Sequence, residues 1–386
     1  MEPIYFDNAA TSWPKPDVMM EAMARYNSSI GGSPGRSGHR LSVDAARLVF
    51  DTRESLARLF GIDDPQQIVL TKNATEALNI AVGGLLKEGD HVITSSMEHN
   101  SLMRPLRAME ARGVKLSVIP CSPRGELDVA DVRSSITTAT GAVFLTHASN
   151  VTGTIMPIAD IGAWAHEQGL LFCVDAAQTA GVVPIDVEAM HIDMLAFTGH
   201  KSLYGPQGTG GLFIRKGVEQ HIDPLSRGGT GSASEYEAQP SFMPDKYESG
   251  TLNTIGITAL GATVRYIEDI GLDAIRTREQ RLTQTFIDGM TAIEGVTIYG
   301  TDGAQDRTAV VSFTIAGVSP SETALILDEE FSIMERPGLH CAPAAHRTMG
   351  TFPEGTNRFS FGYFTTENQI KTALAAIATI AARHRR

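Results

Sequence analysis

The feature that most constrains the fold of this chain is a regular alternation of short apolar runs with helical patterns between residues 67 and 214. Several runs are apolar without polar alternation, as expected when helices cover both faces of a parallel sheet. One helical pattern follows Thr75, which we expect to cap that helix. The alternation predicts an α/β fold whose sheet is mostly parallel and seven-stranded, with helices on both faces. The predicted strands are Gln67–Thr71, His91–Ser95, Val114–Ile119, Ala142–Thr146, Leu170–Asp175, Met194–Phe197 and Gly210–Ile214.

The pattern changes in the last third of the chain, where a second unit is predicted. Thr308–Ile315 has the composition of a strand, and Ser319–Glu322 forms a capping box with proline at the first helical position. We expect residues 16–255 to form a large domain. Residues 1–15 and 256–386 are expected to form a smaller α+β domain.

Composition and motif content argue against nucleic-acid-binding, membrane, disulfide-rich and metal-binding classes of protein. The formal charge of −12 argues against a nucleic-acid surface, which needs clustered lysine and arginine. No signal-peptide pattern is present, and no apolar stretch approaches the ~20 residues that cross a bilayer. The three cysteines are too few for a disulfide framework, and no H-E-x-x-H or C-x-x-C motif predicts a metal site. We therefore expect a cytoplasmic protein that binds neither nucleic acid nor membrane.

An aspartate and a lysine follow two of the predicted strands. Asp175 ends one strand, and Lys201 comes just after a later one. Because strand carboxyl ends meet at one rim of a parallel sheet, both side chains should lie at the same rim. A lysine there can form a Schiff base, and an aspartate can hold a protonated pyridine nitrogen. The pair suggests pyridoxal 5′-phosphate, although a lone lysine more often snorkels and a lone aspartate can simply cap a helix.

Other polar residues near the predicted rim suit the rest of that cofactor. Thr198 and His200 supply donors for a phosphate, and Asn73–Glu76 joins a strand to a helix whose N-terminus favours anions. Gln178 could donate to the ring's phenolic oxygen, and the imidazole of His99 could lie against the ring. Plain helix capping and a structural histidine are the alternatives.

Cys341 is the candidate nucleophile. Glycine and two prolines in Arg336–Pro343 predict a loop, and Arg336, His340 and His346 are basic neighbours in sequence. Positive groups beside a thiol favour the reactive thiolate, so these neighbours suggest a nucleophile. The sequence leaves open whether their side chains face Cys341.

Arg358 stands in an apolar, strand-like run. Burying an unpaired guanidinium is costly, so Arg358 should have an anionic partner. A substrate carboxylate and a structural salt bridge both satisfy that requirement, and the sequence leaves the two open.

Taken together, the motifs resemble those of the cysteine desulfurase family, class V aminotransferase-like enzymes with the pyridoxal phosphate fold type I architecture. The resemblance runs nearly end to end and depends on the order of the motifs. They are Tyr5–Thr11, Asn73–Asn79, Glu98-His99, Ser149–Gly153, Val174–Gln178, Thr198–Lys201, Glu248–Thr251 and the loop around Cys341.

The resemblance implies a role for each matching residue. Lys201 would bind the cofactor, His99 would stack on its ring, Asp175 would pair with the ring nitrogen, and Gln178 would contact the ring oxygen. The residues implied for the phosphate are Ala74, Thr75, Thr198, His200 and, from the partner subunit of a homodimer, Thr251. Asn150 and Arg358 match contacts to the substrate carboxylate.

The implied reaction converts L-cysteine to L-alanine and leaves the sulfur on Cys341 as a persulfide. An acceptor protein or a small thiol would then take the sulfur, for instance in iron–sulfur cluster assembly. The short cysteine loop is similar to that of the SufS-like branch. Leu339 departs from that branch, where a second histidine is common, and Ala74 replaces a hydroxyl residue. A selenocysteine lyase, another class V lyase or aminotransferase, and a non-catalytic scaffold remain alternatives.

Overall fold

A computed structural model describes residues 3–35 and 37–384. Its strands, in chain order, are β1 (Ile4–Tyr5), β2 (Ile68–Thr71), β3 (His91–Ser95), β4 (Lys115–Ile119), β5 (Thr140–Thr146), β6 (Leu171–Asp175), β7 (Met194–Thr198), β8 (Gly210–Ile214), β9 (Val296–Tyr299), β10 (Val310–Ile315), β11 (Ile333–Met334), β12 (Arg336–Gly338) and β13 (Thr356–Ser360).

The helices enclose this framework. They are α1 (Asp17–Ser29), α2 (Arg40–Phe60), α3 (Ala74–Leu85), α4 (Asn100–Glu110), α5 (Val129–Ser134), α6 (Ile158–Glu167), α7 (Thr254–Ile270), α8 (Leu272–Thr291), α9 (Pro320–Phe331), α10 (Pro343–Met349) and α11 (Glu367–His384). Among the described residues, no helix is both long enough and apolar enough to span a bilayer.

The predicted sheet is confirmed: within the described residues it has seven strands in the order β2-β8-β7-β6-β5-β3-β4. Neighbouring strands from β7 to β4 pair in parallel, whereas β8 runs antiparallel to both β7 and β2. Successive residues of a strand face opposite cores. Val143 and Leu145 pack with residues of α2, α6 and α7, while Ala142 and Phe144 pack with residues of α3 and α4. Helices therefore cover both faces.

The start of α3 differs from the prediction. Asn73, and not Thr75, is the N-cap: its side-chain oxygen accepts a hydrogen bond of 2.9 Å from the Glu76 amide. Glu76 in turn accepts from the Lys72 amide at 2.7 Å. Because Asn73 takes the capping role, Thr75 in the first turn keeps its hydroxyl for other partners.

A glycine lets this turn approach the sheet. Gly210 begins β8, and a Cβ atom added there would lie 2.8 Å from the Cα of Asn73 and 2.7 Å from the carbonyl oxygen of Phe197. Real Cβ atoms do not approach backbone that closely, so a side chain at this position would push the α3 turn away from β7. The close contact keeps the start of α3 beside the end of β7.

A second unit contains an antiparallel sheet of order β12-β13-β10-β9 and the parallel pair β1-β11. Its core contains a cluster of aromatic rings, which are Phe6, Phe286, Phe313, Phe359 and Phe361. Phe6 brings the N-terminal segment into this core. At the expected boundary near residue 255, α7 packs on α1 and α2 of the large sheet unit, so the division at that residue stays a prediction.

A buried ion pair anchors the segment that precedes α7. The guanidinium of Arg53 on α2 donates to both oxygens of Glu248, and the amide of Leu70 on β2 donates to Glu248 at 2.6 Å. Their side chains are 9% and 7% exposed. Burial raises the pKa of Glu248, and the charge of Arg53 opposes that rise. The pair thus joins α2, β2 and the segment that leads to Thr251.

Replacing Glu248 by alanine should lower the free energy of unfolding by about 3–5 kcal/mol, because a buried guanidinium loses its partner. The matched control is E330A, which removes the exposed pair between Arg383 and Glu330 and should cost about 0–1 kcal/mol. Urea denaturation of both variants in the cofactor-free state measures the difference. Equal losses would contradict an anchoring role for the buried pair.

Candidate active site

The carboxyl ends of β3, β5, β6 and β7 open onto one cavity of about 250 Å³, which we call the rim cavity. Of the residues predicted for the site, its lining includes Ala74, Thr75, His99, Asn150, Asp175, Gln178, Thr198, His200, Lys201 and Arg358. The cavity also contains several residues that the sequence reasoning did not assign. Within the described residues, no cluster of three or more His, Cys, Asp or Glu is arranged to hold a metal ion.

Lys201 and Asp175 line the rim cavity together. Burial lowers the pKa of Lys201 to about 8, and the nearby Asp175 carboxylate opposes the lowering. Burial also raises the pKa of Asp175, while hydrogen bonds from the Ala177 amide and Ser101 and the charge of Lys201 oppose that rise. A buried carboxylate in this position favours a cationic partner, such as a protonated ring nitrogen.

His99 is held in a neutral form. It is the N-cap of α4, and its Nδ1 accepts from the Ser101 amide at 3.0 Å, which leaves the ring proton on Nε2. Burial lowers the pKa of His99 to about 3, and the positive charges of Lys201, Arg336 and other arginines add to the effect. An uncharged imidazole at the cavity wall suits contact with an aromatic ring.

One end of the cavity offers unused hydrogen-bonding atoms. Among the described residues, Thr198 Oγ1 and His200 Nδ1 are buried and have no hydrogen-bond partner. Burial lowers the pKa of His200 to about 4, so the ring is neutral. Ala74 and Thr75 form the first turn of α3, where backbone N–H groups have no partner within the helix. These groups fit a phosphate monoester.

Another part of the cavity wall is cationic. Arg358 Nη2 forms a salt bridge of 2.7 Å to Asp7, and its Nη1 donates to the Asn150 carbonyl at 3.1 Å. The anionic partner of Arg358 is therefore a structural one, although its Nε and the side-chain oxygen of Asn150 are buried without partners among the described residues. Arg336 also lines the cavity. Two arginines, whose guanidinium groups only donate, suit a carboxylate ligand.

Cys341 lies outside the cavity lining but is tied to its edge. The thiol is exposed, and Arg336 Nη2 donates to the sulfur at 3.4 Å. The amide of Asn100, the residue after His99, donates to the Cys341 carbonyl at 2.8 Å. Asn150 Nδ2 donates to the His340 carbonyl at 2.7 Å. The loop is thus joined to the cavity through three hydrogen bonds.

The two histidines near Cys341 in sequence do not supply a positive charge beside the thiol. The ring of His340 is buried and hydrogen-bonds to Thr356 at 3.1 Å, whereas His346 hydrogen-bonds to Thr351 at 2.7 Å. Burial lowers the pKa of His340 well below its ordinary value and that of His346 to about 4. Both rings are neutral, so Arg336 is the positive group in contact with the thiol.

Thr251 does not reach the rim cavity of its own chain. It is exposed and lines a separate cavity of about 210 Å³ with Lys72 and Glu76. The preceding Glu248 is the buried anchor described above.

Sequence reasoning did not assign several residues that shape this site. Asp7 pairs with Arg358. Arg336 was expected near the thiol, but its place in the cavity lining was not predicted. Glu98 is buried and accepts from Ser95 Oγ at 2.6 Å and from the Thr146 amide at 2.9 Å. Burial raises the pKa of Glu98 to about 8. For Glu98, the one available signal was its place beside His99 in sequence. For Asp7 there was no local signal, because its partner Arg358 is 351 residues away in sequence.

Comparisons with known proteins identify relatives along the whole chain. The family model for class-V aminotransferases matches residues 4–372. The chain is 34% identical over 372 residues to a probable cysteine desulfurase of Methanothermobacter thermautotrophicus, covering 95% of this chain and 92% of that protein. It is 35% identical over 384 residues to a probable cysteine desulfurase of Pyrococcus abyssi, covering 97% and 94%.

Two solved structures similar to this chain are also cysteine desulfurases. A cysteine desulfurase from Thermococcus onnurineus, solved in its apo form, superposes with a TM-score of 0.93 at 35% identity and covers 99% of this chain and 95% of that one. The S-sulfonic acid form of the cysteine desulfurase CsdA from Escherichia coli gives 0.88 at 28% identity, with 99% and 96% covered. The chain therefore belongs to the class-V aminotransferase family and, within it, to the cysteine desulfurases.

Proposed function

We propose that this protein binds pyridoxal 5′-phosphate in the rim cavity and converts L-cysteine to L-alanine, with the sulfur retained on Cys341 as a persulfide. The observation that carries the proposal is the joint lining of one cavity by Lys201, Asp175 and unused phosphate donors, with an exposed thiol held at its edge through Arg336.

The residues at hand suit each part of the cofactor. Lys201 would hold it covalently, Asp175 would face the ring nitrogen, His99 would lie on the ring, and Gln178 would contact the ring oxygen. The residues proposed for the phosphate are Ala74, Thr75, Thr198 and His200. When bound, the cofactor supplies an electron sink beside the substrate Cα.

Lys201 is the proposed general base. With a pKa of about 8, roughly one tenth of the amine is uncharged at pH 7, compared with about one in three thousand for an ordinary lysine. With substrate in the cavity, Lys201 Nζ would take the substrate α-proton and could return it. The Asp175 carboxylate keeps the base from losing its basicity altogether, because its charge favours the protonated amine.

Arg336, Arg358 and Asn150 would orient the substrate through its carboxylate. Arg358 is already fixed by Asp7, and Asn150 by the His340 carbonyl, so little side-chain freedom is lost when substrate binds. Arg336 contacts both the cavity and the Cys341 sulfur. Substrate bound at Arg336 would therefore lie on the side of the cavity nearest the thiol.

Cys341 is the proposed sulfur acceptor. Its thiolate attacks the substrate sulfur, an S–S bond forms, and the carbon–sulfur bond breaks as its electron pair returns to carbon. One cysteine and one enzyme thiol thus give one alanine and one enzyme persulfide. Because Cys341 is exposed, an acceptor protein or a small thiol can reach the persulfide.

A homodimer would complete the phosphate site with Thr251 of the partner subunit. The supporting observation is that Thr251 is exposed and absent from the cavity of its own chain, while Glu248 holds its segment firmly. Helix α2, which packs on α7, also presents apolar side chains to solvent, namely Leu41, Val43 and Phe50.

Replacing Cys341 by alanine should lower alanine formation from L-cysteine by roughly a hundredfold or more, because the nucleophile is lost. Borohydride should still fix the cofactor to Lys201, and mass spectrometry should find an added sulfur on the Cys341 peptide of the unmodified protein alone. The matched control is C121S, whose thiol is half-buried and has a pKa raised by burial to about 11. Undiminished sulfur release from C341A would rule out Cys341 as the acceptor, and a need for a 2-keto acid would indicate an aminotransferase.

Uptake of pyridoxal 5′-phosphate by the cofactor-free protein should speed up about tenfold per pH unit and level off near pH 8, because the uncharged Lys201 amine is the nucleophile. Asp175 raises the pKa of Lys201, so D175N should move the midpoint to lower pH. Stopped-flow absorbance across pH measures both. The exposed control D269N should leave the midpoint unchanged, and an upward shift in D175N would contradict the assigned pairing.

Mixing K201A and T251A subunits should restore about a quarter of the wild-type activity, since half of the dimers are mixed and each has one complete site. The assay is run at a cofactor concentration at which each parent is inactive. If mixing restores nothing, although native mass spectrometry shows mixed dimers, Thr251 does not act across the interface.

A further inference from the structure

Residues of the N-terminal segment converge on the main chain around Lys201. The amide of Ser12 donates to the His200 carbonyl at 3.1 Å, and Thr11 Oγ1 donates to the same oxygen at 3.1 Å. Lys15 Nζ donates to this carbonyl at 2.7 Å. The His200 carbonyl belongs to the peptide bond that leads into Lys201, so three donors hold that peptide from one side.

The Ser12 hydroxyl extends this contact to the Lys201 carbonyl. Lys15 Nζ also donates to Ser12 Oγ at 2.8 Å, and Ser12 Oγ lies 2.8 Å from the Lys201 carbonyl and 3.3 Å from that of His200. A serine hydroxyl has one proton to give, so the shorter contact to Lys201 takes it. The ammonium group therefore reaches the backbone on both sides of the Lys201 Cα, once directly and once through Ser12.

The position of Lys15 is costly for a lysine. Its side chain is half-buried, it forms no ion pair with any described residue, and burial lowers its pKa to about 8. Pro14 and Pro16 on either side restrict the backbone just before α1. Burying a charged amine without a carboxylate partner costs free energy, which the hydrogen bonds of Lys15 to carbonyl and hydroxyl oxygens offset only in part.

We infer that Lys15 is a positioning residue for Lys201, which fixes the His200–Lys201 backbone so that the amine stays at its place in the rim cavity. The inference rests on the proposed function in that Lys201 is the reacting amine. Lys15 does not belong to the described lining of the cavity, so it acts through the backbone and not by touching ligand.

Several charged groups around Lys201 set the pKa of its amine, which is the property that a change at Lys15 would affect. Asp175 and Asp7 raise the pKa of Lys201, while Arg336 and Arg358 lower it, and burial is the largest influence. The neighbouring His99 and His200 rings are neutral, with pKa values lowered to about 3 and about 4. Lys15 helps to keep His200 neutral. Loss of Lys15 would loosen the backbone, admit water to the amine and remove a positive charge.

The test compares K15M with K15R and with K216M, which changes an exposed lysine. In the cofactor-free protein, the rate at which acetic anhydride acetylates Lys201, read by mass spectrometry across pH, gives the titration midpoint of the amine. K15M should raise this midpoint by about one pH unit. In the cofactor-loaded enzyme, kcat should fall by about tenfold while KM stays within about twofold. K15R and K216M should stay close to wild type in both measurements.

A second variant, S12A, keeps the test decisive if K15M does not fold. S12A removes the relay to the Lys201 carbonyl but keeps the charge, and should move the midpoint and kcat in the same directions by smaller amounts. Wild-type midpoint and kcat in K15M would overturn the inference, as would equal effects in K216M. If K15M does not fold, S12A at wild-type values overturns it. If cofactor never attaches to Lys201 in the wild type, the proposed function fails, while the acetylation midpoints still decide the role of Lys15.

Discussion

The parallel alignment of β3, β5, β6 and β7 is the constraint on which the site depends. Parallel strands end at one rim, so residues distant in sequence meet there without any long-range contact of their own. Each strand is buried on both faces, and their register is therefore set by two packed cores. A slip of one residue in β6 would turn Asp175 away from the cavity that Lys201 lines.

Burial at the rim also sets the chemistry. The same loss of water lowers the pKa of Lys201 to about 8, lowers those of His99 and His200 to about 3 and 4, and raises that of Asp175. An amine with a lowered pKa therefore lies among uncharged imidazoles and one buried acid. Such an arrangement would give the proposed base, ring support and ring-nitrogen partner different charge states through their environments.

The second unit contributes by contact with the rim. β12 and β13 bring Arg336 and Arg358 to the cavity, and the loop after β12 carries Cys341. The N-terminal segment reaches the site three times: Asp7 pairs with Arg358, Ala9 accepts from Gln178 at 3.2 Å, and Lys15 holds the His200 carbonyl. The proposed nucleophile and the proposed base thus belong to different parts of the chain that share fixed contacts.

Local sequence patterns located the seven strands of the described large sheet, each within two residues of its predicted ends, because apolar runs and turn residues are local signals. They also placed Lys201 and Asp175 at one rim, since strand ends in a parallel sheet share an edge. Three features became visible only in the folded chain: Asn73 caps α3, His340 and His346 hydrogen-bond to threonines, and Asp7 neutralises Arg358. These contacts join residues that no local pattern relates, and burial, which sets their charge states, exists only once the chain has folded.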